Sequence, residues 1–177
     1  MPNRFKILIG SVSAIILLDQ LTKFIIERNL NYNFVTRSGE SFTVIPNLLR
    51  ITHLRNQGAG LGLFQGQLVF FIIVTIVALG VFIYLAREID YKKSFFQAFG
   101  LTLLIGGTIG NFIDRLFRHD NAVIDWIDVY IFGFNFWVFN VADIALTVGV
   151  IAFALDIFVL EPERKAKTRG ELNETSD

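Results

Sequence analysis

The sequence contains no cysteine in its 177 residues. That absence removes disulfides, thiolate zinc sites and a cysteine nucleophile. Histidine occurs twice, at His53 and His119, far apart and without the His-Glu-x-x-His spacing of a zinc hydrolase, so neither a metal nor a cofactor is expected. Serine is no better placed as a nucleophile: Ser38 and Ser41 have no base nearby in sequence, and Ser94 lies in a short polar turn between two apolar runs. Charge of one sign is not in excess. Sixteen Lys and Arg balance sixteen Asp and Glu, which gives no reason to expect nucleic acid or another polyanion as partner. Proline is scarce, at three residues, and neither an internal repeat nor a soluble second domain is evident.

Apolar residues, by contrast, make up 53% of the chain, nineteen of them phenylalanine. The mean hydropathy of +0.55 is too high for an ordinary soluble domain of this size. Four apolar runs, at about residues 5–26, 68–86, 95–113 and 138–160, are long enough to cross a ~30 Å hydrocarbon core at ~1.5 Å rise per residue. The first lacks a small-residue cleavage site after a short core and reads as a retained helix. The expected fold is a membrane protein with an all-α core of four transmembrane helices and a small extramembrane β-sheet. Residues 29–66 supply the sheet, through the β-rich runs Phe42-Thr43-Val44-Ile45 and Leu49-Arg50-Ile51-Thr52 on either side of Pro46-Asn47. Residues 115–137 form a second extramembrane loop, rich in interfacial aromatics. Residues 1–161 make one membrane domain, and the charged tail, 162–177, is expected to be disordered.

Polar residues interrupt this pattern at few places. Asp19 and Lys23 sit four apart near the end of the first run, spaced for an ion pair or for contact with a ligand. Asn111 and Asp114 share a helix face at the end of the third run, with Arg115 four residues from Asn111. Asn140 and Asp143 share a face at the start of the fourth, and Asp125 lies in the loop between. Exits of odd spans and entries of even spans lie on one side of a membrane, so these costly groups gather at a single surface. Nine Lys and Arg fall on the side of the termini and seven on the other, which places both termini in the cytoplasm. Two carboxylates brought close share a proton and provide one base and one acid near neutral pH. That suits attack of water on a peptide carbonyl with protonation of the leaving nitrogen. Gly106 and Gly110 offer a small-residue face for helix packing. Gly58, Gly60 and Gly62 allow a backbone to approach a ligand closely.

Five motifs occur in order: Leu18-Asp19-Gln20-Leu21-Thr22-Lys23, Asn56-Gln57-Gly58-Ala59, Gly106-Gly107-Thr108-Ile109-Gly110-Asn111-Phe112-Ile113-Asp114-Arg115, Val123-Ile124-Asp125-Trp126 and Phe139-Asn140-Val141-Ala142-Asp143. Together they closely resemble bacterial lipoprotein signal peptidase (signal peptidase II), over almost the whole chain. The resemblance implies an intramembrane aspartyl endopeptidase of the bacterial cytoplasmic (inner) membrane. It would remove signal peptides from diacylglyceryl-modified prolipoproteins, just before the lipidated cysteine and near the outer, periplasmic face. Membrane lipids and globomycin-type inhibitors are further implied partners, and a monomer is the expected state. Carried over position by position, Asp125 and Asp143 match the catalytic pair. Asn56, Asn111, Arg115 and Asn140 match polar residues around the substrate pocket, Gly58 belongs to the glycine motif beside it, and Asp19 and Lys23 match a further motif. Asp114 is the rival of Asp125, but its neighbours suit a carboxylate held ionised as a structural partner, a poor acid. Asp128 reads as a solvated loop acid. Asp156 lies ~20 Å along the helix from Asp143 and belongs to the opposite surface.

A small ion carrier would also keep buried carboxylates, but its polar groups should form a relay through the membrane rather than gather at one surface. A scaffold would not require two asparagine–aspartate pairs at helical spacing. Cleavage is therefore expected to continue in EDTA and after treatment with thiol or serine reagents. An assay on a lipidated precursor peptide in detergent checks this, and EDTA inactivation reversed by zinc would refute it.

Overall fold

The computed structural model describes residues 2–59, 63–89 and 94–174. Helix α1 (Pro2–Asn29) leads into a two-residue hairpin, β1 (Tyr32–Asn33) and β2 (Ser38–Gly39), then β3 (Ser41–Ile45) and β4 (Leu49–Asn56). Helices α2 (Leu68–Glu88) and α3 (Phe95–Phe117) follow, then β5 (Val123–Ile131), β6 (Phe134–Phe139) and α4 (Val141–Leu155). A π-turn (Asp156–Leu160) joins α4 to α5 (Glu161–Glu174). Among the described residues, four helical stretches are long and apolar enough to span a membrane: Lys6–Asn29, Leu68–Glu88, Phe95–Phe117 and Val141–Lys167.

α3 is the central helix and packs against α1, α2 and α4. Glycines on α3 and on α4 set the distances. A Cβ on Gly107 would lie 2.5 Å from the Ala142 carbonyl oxygen of α4, and one on Gly149 would lie 2.9 Å from the Gly100 carbonyl oxygen. On the other side of α3, a Cβ on Gly106 would meet Ile15 of α1 at 2.9 Å, and one on Gly110 would meet the Asp19 carboxylate at 2.7 Å. The Gly106–Gly110 face is thus a packing face. Hydrophobic association between helices is weak in lipid, and close backbone approach supplies dispersion contacts in its place.

The second extramembrane segment is not a loop. β5 and β6 extend the first segment's sheet into one four-stranded antiparallel sheet, in the order β3-β4-β5-β6. Val123–Ile131 is rich in β-branched and aromatic residues, which favour a strand. Phe132 and Gly133 both take positive φ, 53° and 82°, in a two-residue hairpin turn between paired Ile131 and Phe134. The aromatic content of this segment belongs largely to strands. Asp128, expected to be solvated, is fully buried. It pairs with Arg50 across the β4–β5 register, at 2.7 Å and 2.8 Å, and accepts from Asn135 at 3.0 Å. Membership of a central strand, invisible when residues 115–137 are read as a loop, accounts for the difference.

The fourth span begins at Val141 rather than at residue 138, because Val138 and Phe139 complete β6. The tail differs more. Residues expected to be disordered form α5, with Arg164 on buried Asp156 at 2.7 Å and Lys165 on Glu161 at 2.6 Å. The π-turn ends two residues before Pro162, whose ring would clash with the carbonyl four residues back in a regular helix, and the widened turn relieves that clash. Asp156 sits with Arg164 and Ser94, away from the polar residues of the sheet end.

Overpacking a close helix contact costs ~1–3 kcal/mol. Gly107→Val should therefore lower the thermal unfolding midpoint of the detergent-purified protein. Gly80→Val, at a position with nothing within 4 Å of an added Cβ, should leave it unchanged.

Candidate active site

The carboxyl end of α3, the amino end of α4 and the first half of β5 converge at the sheet end of the bundle. Asn140 is the N-cap of α4. Its side-chain oxygen accepts from the Asp143 backbone N–H at 2.9 Å, and its own backbone N–H donates to the Asp143 carboxylate at 3.2 Å. This capping box explains why asparagine and aspartate stand three apart at a helix start. Asn140 Nδ2 donates to Asp125 Oδ1 at 2.7 Å. One asparagine therefore touches both Asp125 and Asp143.

Two further asparagines complete the arrangement. Asn111 Nδ2 donates to Asp143 Oδ1 at 2.8 Å, and Asn56 Nδ2 donates to Asp125 Oδ2 at 3.1 Å. An amide can in principle flip, but here each oxygen faces an obligate donor. Gly58 N–H donates to Asn56 Oδ1 at 2.9 Å, Asp143 N–H to Asn140 Oδ1, and Lys23 Nζ to Asn111 Oδ1 at 3.0 Å. All three NH2 groups consequently turn toward the two carboxyl groups. The second N–H of Asn140 Nδ2 reaches Asn111 Oδ1 at 3.2 Å, which links two of the amides to each other.

A cavity of about 640 Å³ opens beside the pair. Asp125, Asp143, Asn56, Asn111, Gly58 and Arg115 contribute its polar wall, and Phe136, Trp137, Phe139, Ile144, Leu146 and Val148 an apolar one. A Cβ on Gly58 would lie 2.6 Å from the Leu63 carbonyl, so the tight loop explains this glycine. Gly60 and Gly62 lie outside the described residues. Arg115 donates to the Gly58 carbonyl at 3.1 Å and stacks over Phe71 of α2, 4.5 Å from the ring centroid. It makes no ion pair among the described residues, and its Nε is buried without a partner. Its positive charge can balance one negative charge on the two aspartates.

Asp19, Lys23 and Asp114 are each fully buried behind the cavity and do not line it. Lys23 Nζ lies 2.8 Å from both carboxylates. Asp114 also pairs with Arg118 at 2.9 Å and accepts from the Ile124 N–H at 3.3 Å. Asp19 accepts from the Ala142 N–H at 2.9 Å. These contacts make Asp19, Lys23 and Asp114 a brace joining α1, α3, α4 and β5. Three contributors were not singled out from the sequence. Gln20 donates to Asp19, to Asp114 and to the Gly110 carbonyl at 3.0–3.2 Å. Arg118 and Glu27 extend the ion pairing outward at 2.6 Å. Gln20 lies inside the first motif, and Arg118 is one helical turn beyond Asp114, which is the only local signal they carry.

Burial raises the Asp125 pKa to about 7, and the neighbouring Asp143 charge adds to the effect, against the lowering by the Asn56 and Asn140 amides.

The fold and cavity define a four-span membrane protein with two aspartates bonded to one shared asparagine at one end of its bundle. Residues 11–159 match the family model of signal peptidase (SPase) II. The chain is 44% identical over 155 residues to the lipoprotein signal peptidase of Halalkalibacterium halodurans, covering 87% of this chain and 92% of that one. It is 38% identical over 153 residues to that of Staphylococcus aureus strain Newman, covering 86% and 88%. Two bacterial membrane enzymes solved by the in meso method, at 2.3 Å and 1.9 Å resolution, each superpose with a TM-score of 0.73. Their identities are 38% and 36%, over 86% and 87% of this chain and 87% and 94% of theirs. The chain belongs to the signal peptidase II family, and it is a membrane peptidase.

Raising a carboxyl pKa in the folded state makes stability fall as pH rises. The contribution is fully present below the unfolded value near 3.8 and is lost as pH climbs to about 7. Asp125→Asn should remove this slope, to which each pH unit across that window contributes ~1.4 kcal/mol. Unfolding midpoints of wild type and variant across the window check it.

Proposed function

We propose that Asp125 and Asp143 are the catalytic dyad of an aspartyl endopeptidase that removes signal peptides from diacylglyceryl-modified prolipoproteins, cleaving before the lipidated cysteine. The observation that carries this reading is the single asparagine, Asn140, bonded to both carboxyl groups at the wall of a half-apolar cavity. The names of the related proteins support the lipoprotein substrate class.

The dyad works with one proton between its two carboxyl groups. One carboxylate takes a proton from water as the oxygen adds to the scissile carbonyl. The other carboxyl hydrogen-bonds to the developing oxyanion, and a proton then passes to the leaving nitrogen as the C–N bond breaks. The products are the signal peptide carboxylate and the free amine of the lipidated cysteine. Arg115 keeps the singly charged dyad electrically balanced and, with Asn56 and the Gly58 loop, lines the peptide path. The apolar wall accepts side chains of the signal peptide and acyl chains that remain in the bilayer.

The active site faces the outside of the bacterial inner membrane and both termini face the cytoplasm. Asp143 lies one helical turn inside α4, near the hydrocarbon boundary, where water and a lipid-anchored cysteine can both reach it. Globomycin-type cyclic peptides occupy the same cavity.

Asp125→Asn and Asp143→Asn should each abolish cleavage of a diacylglyceryl precursor peptide, by at least ~10³-fold, while the proteins remain folded in detergent. Asp114→Asn should act mainly through folding, by unbalancing Lys23 and Arg118. Normal turnover by either dyad variant, or a folded but inactive Asp114→Asn beside an active Asp125→Asn, would displace the assignment.

A further inference from the structure

The three asparagine amides differ in what orients them. Asn56 and Asn140 are held by backbone N–H groups, which no substitution other than proline removes. Asn111 is held by side chains. Lys23 Nζ has three protons, and three acceptors surround it: Asp19 Oδ2 at 2.8 Å, Asp114 Oδ2 at 2.8 Å and Asn111 Oδ1 at 3.0 Å. Asn140 Nδ2 adds a longer, neutral contact to the same Asn111 oxygen at 3.2 Å. The ammonium has no acceptor capacity, so only the Asn111 oxygen can face it. With the oxygen held there, Nδ2 faces Asp143. A flipped Asn111 would set an NH2 against the ammonium and a carbonyl oxygen against a carboxylate, two repulsive contacts in a buried setting where polar mismatches are costly.

In the ion cluster behind the dyad every cation faces at least one carboxylate. Lys23 and Arg118 carry two positive charges, and Asp19 and Asp114 two negative ones. The Lys23 charge is met first by Asp19 and Asp114, and its field also reaches Asp125. A further effect of Lys23 on Asp143 passes through the direction of one amide. The members of the dyad differ accordingly. Asp143 accepts from the Lys23-directed Asn111 amide and from the Asn140 backbone N–H within the first turn of α4, where the helix dipole favours negative charge. Asp125 lies on a strand and, among the described residues, its carboxyl accepts from the Asn56 and Asn140 side-chain amides.

We infer that Lys23 is a positioning residue for the reaction. By directing Asn111 Nδ2 at Asp143, it makes Asp143 the ionised base and leaves the shared proton on Asp125, the acid. This inference rests on the proposed Asp125–Asp143 dyad. It also gives the four-residue spacing between Asp19 and Lys23 on α1 a part in the chemistry as well as in helix packing.

The test uses the full-length detergent-purified protein and a diacylglyceryl-cysteine precursor peptide, with kcat and KM measured from about pH 5 to about pH 9. Two variants interrupt the path at different points. Asn111→Leu leaves the Asp19–Lys23–Asp114 brace intact. Lys23→Met combined with Asp19→Asn removes one charge of each sign, leaving Asp114 with Arg118. Both should move the acidic limb of kcat upward by about one pH unit or more, which is tenfold or more lower kcat on that limb, with KM within about threefold of wild type. Adding Asn111→Leu to the Lys23→Met/Asp19→Asn protein should move the limb no further, as expected for groups acting in series. A folded Asn111→Leu protein whose kcat falls equally at every pH, or whose limb stays in place, would overturn the inference. A folded Lys23→Met/Asp19→Asn protein with the wild-type limb would do the same, and if that protein does not fold, Asn111→Leu alone decides. Asp143→Asn separates the two levels of the reading: turnover by that variant refutes the dyad, whereas an inactive Asp143→Asn with an unmoved Asn111→Leu limb refutes only the role of Lys23.

Discussion

An ammonium group buried inside a membrane bundle must find its counter-charges within the protein, and in this molecule Lys23 finds them on two different helices. Asp19 lies one turn before it on α1, and Asp114 comes from α3. Removing either partner would leave an uncompensated charge, with a cost of several kcal/mol. The relative position of α1 and α3 is therefore specified more tightly than dispersion between apolar helices could achieve. The same carboxylates reach further, Asp19 to the first turn of α4 and Asp114 to β5 and Arg118. The elements that carry Asp125, Asp143 and Asn111 are all tied to this one buried cation.

Glycine makes the arrangement sterically possible. α3 has to approach α1 on one side and α4 on the other, and Gly106, Gly107 and Gly110 leave room where a methyl group would meet a neighbouring side chain, backbone or carboxylate. Gly110 combines both demands, since the space that its missing side chain leaves is filled by the Asp19 carboxylate. Packing and electrostatics thus meet on a single turn of α3, immediately before Asn111 and Asp114. On the other side of the cavity, the sheet runs into α4 with Asn140 alone between Phe139 and Val141, so β6 and the capping box cannot move independently.

The two carboxyl groups sit in a ring of donors. Two backbone N–H groups and one ammonium fix the oxygens of the three amides, and the NH2 groups of those amides in turn face Asp125 and Asp143. Such preorganisation costs no reorientation when charge develops in a reaction. Arg115 stands apart from the ion pairs, held by a carbonyl and an aromatic face, which leaves its charge available to the cavity. A neutral combination of Arg115 with one negative charge on the two aspartates is consistent with burial that raises the Asp125 pKa to about 7.

Much of this was legible in the chain itself. The four spans follow from unbroken apolar runs, because a hydrocarbon core leaves a helix few alternatives. The Asp19–Lys23 pair and the shared face of Asn140 and Asp143 follow from helical spacing, a local property, whereas the cap that these two form depends on where β6 ends. The gathering of polar groups at one surface follows from span parity. What the sequence could not decide was long-range pairing. Residues 115–137 read as an aromatic loop because a strand's role depends on its neighbours, and only the register with β4 shows that Asp128 is a buried partner of Arg50. The tail reads as disordered from its charge, yet Asp156 and Arg164 hold it as a helix through contacts that composition does not encode. Local chemistry determined which residues are costly. The tertiary structure decided which of them share an amide, because a hydrogen bond between residues tens of positions apart has no periodicity to betray it.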